Sequence, residues 1–106
     1  MGSRGPMSII DSKFKRLKVE NVDHAPRKRG VYALYDDKNL IYLGKASGKA
    51  DTIRSRLRSH LDSSPEGATR YKREPAKEPE ARLKILLGEY SAAHGRLPRG
   101  NVVAKK

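Results

Sequence analysis

Two short stretches hold the residues most suited to chemistry. Gly30-Val31-Tyr32 and Tyr42-Leu43-Gly44 place two of the chain's 5 tyrosines ten residues apart, each in a tripeptide with a glycine. A phenol can pass a proton or hold a phosphate oxygen, but with an ordinary pKa near 10 it is a poor base at neutral pH. Strand aromatics more commonly just pack across a hairpin. Further on, Arg56 and His60 stand four residues apart, one turn of a helix, and so share a face. They offer a permanent cation and a titratable imidazole. Glu89 lies in an apolar segment, where a carboxylate is costly unless something cationic meets it.

The elements that must position these residues follow from pattern. VYALYD reads as a strand, DDKN as a polar turn and LIYLG as a second strand, together a β-hairpin. After the linker KASGKAD, Asp51 or Thr52 can cap a helix, TIRSRLRSHL, with Ile53, Leu57 and Leu61 as its apolar stripe. Arg56 and His60 flank that stripe on one side, and Arg54 and Arg58 on the other. Residues 62–79 are polar and broken by Pro65, Gly67 and Pro75, and are expected to form a loop. A second helix starts near Pro79 and stops at Gly95, with Glu89 at the edge of a stripe of Leu83, Leu86, Leu87 and Tyr90. NVVAK is expected to be a short last strand. The order β-β-α-α-β gives an α+β domain: a small, mainly antiparallel three-stranded sheet flanked by helices.

Composition narrows the function. The 106 residues suit one domain; the opening MGSRGPM looks like an expression-vector leader ahead of a native start at Met7, leaving 8–106 as the domain. The absence of Cys excludes a disulfide scaffold, a thiolate zinc site and a thiol nucleophile, and fits a reducing, cytoplasmic setting. No apolar run approaches the ~20 residues of a membrane span. The net charge of +12 points to polyanions, chiefly nucleic acid.

On these residues the chain resembles the GIY-YIG nuclease family. Gly30-Val31-Tyr32 and Tyr42-Leu43-Gly44 stand where its two strand motifs belong. Arg56 and His60 match its arginine helix, and Glu89 its metal-binding glutamate. Pro98, Arg99 and Asn101 follow that glutamate as they do in the C subunit of the bacterial excision nuclease, a branch that Lys45 also matches. The resemblance implies a metal-dependent DNA endonuclease, in repair or recombination, using one Mg²⁺ or Mn²⁺ on Glu89. Mg²⁺ is often held by one or two carboxylates, with water and phosphate completing its shell. Arg56 is then the phosphate electrophile, since a guanidinium grips two oxygens at once. Tyr32 is the favoured base or relay and Tyr42 orients water or phosphate, although the two are interchangeable on sequence. Lys45 or Arg56 would lower a phenol's pKa. His60 would bond a tyrosine or a phosphate, and Asn101 would touch substrate. Arg54, Arg58, Arg70, Lys72 and Arg73 are expected to track the DNA backbone, with Tyr71 stacking on a base. RNA as substrate, a targeting protein partner, and a basic binding module without catalysis are all compatible with the same residues.

Overall fold

The computed structural model describes residues 14–63 and 67–101. The first 13 residues, and so the supposed leader, lie outside them, as do residues 102–106, which include all but the first residue of the expected last strand. The hairpin is as expected: β2 (Gly30–Asp36) pairs antiparallel with β3 (Asn39–Ala46) across the Asp37-Lys38 turn. Among the described residues the sheet has four strands rather than three. Its order is β1-β4-β2-β3, with β1 at Lys15–Arg16 and β4 at Arg70–Pro75, and every pairing is antiparallel.

β4 corrects the expected loop over 62–79. Its sequence, RYKREP, hides its nature because five of six residues are polar or proline. Only Tyr71 enters the core, where its hydroxyl donates to the Asn21 carbonyl at 3.1 Å. The charges are accommodated instead of solvated: Lys72 sits over the Phe14 ring at 4.5 Å, and Glu74 pairs with Arg82 at 2.9 Å.

Because β4 covers one edge of β2 and β3 the other, β2 is central and buried on both faces. Tyr32 and Leu34 point to one side, packing with Ile53 and Leu57 of α2 (Ile53–Ser63) and Val22 of α1 (Val19–Val22). Val31, Ala33 and Tyr35 point to the other, against Leu86, Leu83 and Leu87 of α3 (Pro79–His94). α3 starts on Pro79 and ends at Gly95 in the left-handed conformation, φ 76°, as its sequence indicates. Thr52 is the residue that caps α2: the Ser55 N–H donates to Thr52 Oγ1 at 3.1 Å, while Ser55 Oγ accepts from the Thr52 N–H at 2.9 Å.

The hairpin register carries one irregularity. Tyr35 faces Leu40, but Leu34 faces Tyr42, so Ile41 is an extra residue on β3. Without it Tyr42 would face Ala33 and lie on the α3 side of the sheet. The bulge moves Tyr42, Gly44 and Ala46 onto the face of Tyr32 and Leu34.

Candidate active site

That register makes Gly44 the cross-strand partner of Tyr32. A Cβ on Gly44 would lie 2.5 Å from the Tyr32 ring, so the glycine is there to let the phenol lie flat across the neighbouring strand. Tyr32 and Tyr42 then stand side by side, ring centroids 6.1 Å apart. The His60 ring closes the cluster at 5.4 Å from each. Tyr32 is 1% exposed and its hydroxyl lies 2.9 Å from His60 Nε2.

The three rings floor a cleft of about 450 Å³ whose rim carries Asp51 and Arg56. Arg56 reaches Asp51 with two hydrogen bonds, Nε to Oδ1 at 2.6 Å and Nη2 to Oδ2 at 3.0 Å. Asp51 also accepts the Ser47 N–H at 3.0 Å. Asp51 escaped sequence reasoning except as a possible cap. Its signal was an acid at the end of a Gly-Lys-Ala turn five residues before the arginine. With Thr52 taking the cap, the Asp51 carboxylate is left to hold the guanidinium.

The electrostatics reverse one expectation. Burial pushes the Tyr32 phenol well above its ordinary pKa, the neighbouring Tyr42 adds to the rise, and the opposing Arg56 charge is outweighed. His60 is shifted down, by burial first and by Arg56 second. Tyr32 is therefore a protonated phenol beside a neutral imidazole at pH 7. It donates its O–H to Nε2, leaving the proton of that tautomer on Nδ1, which is buried without a protein partner. The hydroxyl and the imidazole are thus in line for a proton to pass from Tyr32 to Nε2. The hydrogen bonds that Arg56 donates to Asp51 hold that carboxyl down at about 2.

The other expected site residues are dispersed. Lys45 is one residue past Gly44, and strand alternation turns it to the α3 side with Val31 and Leu43, so it cannot act on Tyr32. Asn101 lies in a turn, not a strand, and its amide is occupied. Leu43 N–H donates to Asn101 Oδ1 at 2.8 Å, and Asn101 Nδ2 donates to the Leu43 carbonyl at 2.9 Å. It extends the edge of β3 by one rung beside Tyr42. Tyr71, buried in the core, cannot stack on a base. Arg54 Nε donates to the Ala25 carbonyl, Arg58 pairs with Asp23, and Arg70 pairs with Asp37 at 3.5 Å. Arg73 stands opposite Tyr32 on β4, and its Nε is buried. Arg56 alone of the α2 arginines lines the cleft.

Glu89 is exposed on α3, contrary to the half-buried position its sequence suggests, and does not line the cleft. Its carboxylate is a hard oxygen donor open to water, the kind that takes a hydrated Mg²⁺ or Mn²⁺. Among the described residues no three His, Asp or Glu side chains cluster as a metal cage. Nor is any helix long and apolar enough to cross a membrane. No protein-family model matches this chain, and no curated protein matches it.

Proposed function

We propose that the chain is an endonuclease of the GIY-YIG type, hydrolysing phosphodiester bonds in DNA. The observation that carries the reading is the convergence of Tyr32, Tyr42, His60 and Arg56 on one cleft in a chain of net charge +12. Arg56 exchanges the Asp51 carboxylate for two non-bridging oxygens of the scissile phosphate, whose planar spacing the guanidinium matches equally well. Tyr32 takes a proton from the attacking water and delivers its own to His60, so no free phenolate is needed. Tyr42, on the open side of the cluster, orients that water. Glu89 would hold the divalent ion, which when bound neutralises charge on phosphate oxygens and on the leaving alkoxide. The substrate is a repair or recombination structure, and a targeting partner supplies its selection.

The exposed position of Glu89, outside the cleft, favours a second reading: a basic nucleic-acid-binding module that keeps the fold without the reaction. One experiment separates them. Labelled duplex, single-stranded, flapped and branched DNA, and an RNA strand, are incubated with Mg²⁺ or Mn²⁺ and with wild-type, Tyr32→Phe or Glu89→Gln protein. Cutting by the wild type that falls in both variants is the expected result. Salt-sensitive binding by all three without cutting would leave the binding module.

A further inference from the structure

Next to the tyrosine cleft lies a groove of about 460 Å³ lined by Lys28, Arg29, Lys49 and Lys77, with Gly48, Pro75 and Ala76 as its floor. All four cations are exposed, and no acidic residue lines the groove. Four arginines elsewhere in the molecule have acidic partners: Arg56 has Asp51, Arg58 has Asp23, Arg70 has Asp37 and Arg82 has Glu74. Among the described residues none of the four groove cations is hydrogen-bonded through its side chain or ion-paired.

Four like charges at one place repel one another, and this groove is nonetheless held in shape. Its three loops are tied by backbone: the Ile53 N–H donates to the Lys28 carbonyl at 2.9 Å, and the Ala76 N–H to the Arg29 carbonyl at 3.1 Å. Gly48 and Asp51 exchange two hydrogen bonds, of 2.7 and 3.0 Å. Lys49, at the tip of that turn, has φ 60°, a left-handed conformation that costs a lysine and suits glycine or asparagine. The same turn is the wall between the two cavities. Gly48 and Lys49 face the groove, and Ala50 and Asp51 face the cleft.

We propose that the groove is a second subsite for the phosphate backbone of the nucleic acid, carrying the strand onward from the cleft over the Gly48–Asp51 turn. Its continuity with a reacting phosphate rests on the nuclease reading; its affinity for a polyanionic strand does not. The four cations contact non-bridging oxygens and read no base.

The test is binding of a fluorescein-labelled oligonucleotide in EDTA, by anisotropy against salt concentration, so that cleavage plays no part. The triple variant Lys28→Gln/Lys49→Gln/Lys77→Gln is expected to lower the slope of log K against log salt by about 2 for a single strand and about 3 for a duplex. Replacing the same three positions by Arg should restore it, and Lys84→Gln, an exposed cation on α3 that lines neither the groove nor the cleft, should leave it unchanged. Should the triple variant fail to fold, Lys49→Gln and Lys77→Gln singly carry the test, each lowering the single-strand slope by about 0.7. An unchanged slope overturns the proposal. So does competition by polyglutamate as effective as that of an unlabelled oligonucleotide of equal charge, which would mark the groove as an acidic-peptide site. A normal groove result with no cleavage on any substrate would overturn the nuclease reading and leave the subsite standing.

Discussion

A phenol and an imidazole 2.9 Å apart, both partly or wholly removed from water, are the groups on which the proposed chemistry of this cleft depends. Tyr32→Phe removes only the shared hydroxyl. Cleavage should fall by about 10²–10⁴, as for the loss of a general acid–base group, with cleavage kinetics as the readout. Stability should fall by only about 0.5–1.5 kcal/mol by urea titration, the net worth of one hydrogen bond. An intact rate would place the proton transfer elsewhere. Asp51→Asn tests the rim. It removes the charge that holds Arg56 in the absence of DNA while keeping the side-chain shape. The expected outcome is tighter binding of oligonucleotide at low salt, because phosphate no longer competes with a carboxylate for the guanidinium. Weaker binding would instead make Asp51 a group that aims Arg56 at its ligand.

Three local devices bring those residues together: a bulge, a glycine and an edge clamp. The Ile41 bulge sets which face Tyr42 occupies, and Gly44 makes room for the Tyr32 ring. Gly44→Ala should destabilise the protein by about 1–3 kcal/mol, as overpacking does, and displace Tyr32 from His60. Urea unfolding and the near-ultraviolet tyrosine dichroism report the two effects, and a variant unchanged in both would mean the strands part without cost. Asn101 supplies the clamp. Asn101→Ala leaves the outward N–H and carbonyl of Leu43 without that amide, at about 1–2 kcal/mol, and amide exchange at Leu43 should accelerate while residues of α3 stay protected. Equal protection at Leu43 in the variant would show that the edge of β3 does not depend on the clamp.

At the scale of the whole molecule, charge and pH are coupled through His60. Its folded pKa lies below its ordinary value of 6.5, so the unfolded chain binds more protons between the two. The stability it contributes is fully present above pH 6.5 and is lost as pH falls through the folded pKa. His60→Asn should flatten the pH dependence of the urea midpoint below pH 6.5, and abolish the acid limb of cleavage in the same range. Asp51 acts lower on the scale. With its carboxyl held down at about 2, against an ordinary 3.8, its contribution is present above about pH 4 and disappears as pH falls through 2. A midpoint profile in His60→Asn as steep as the wild type's between pH 5 and 6.5 would assign the slope to other groups.

Much of this was legible in the amino-acid sequence because it is local. Pattern and turn chemistry determined the hairpin over residues 30–46, the Ile53-Leu57-Leu61 stripe, the start of α3 at Pro79 and its end at Gly95. One-turn spacing likewise put Arg56 and His60 on the same side of α2. Composition determined the basic character. What needed the tertiary structure was every decision made between distant segments. β4 is polar in sequence, and pairing with β2, the Phe14 ring beneath Lys72 and the Arg82 guanidinium beside Glu74 make it a strand. Lys45 and Asn101 sat at suggestive positions, but alternation turned one to the far face, and the Leu43 backbone engaged the other. The basic groove joins residues 28–29, 48–49 and 75–77, which share nothing in the linear order. Adjacent strands were expected to hold Tyr32 and Tyr42 side by side, but the bulge that puts both on one face was not legible. A strand's side chains alternate with period two, so a single bulged residue reverses the face of everything beyond it. That bulge is settled by hydrogen bonding across the hairpin and by the Gly100 N–H, which donates to the Ile41 carbonyl at 2.6 Å from far along the chain.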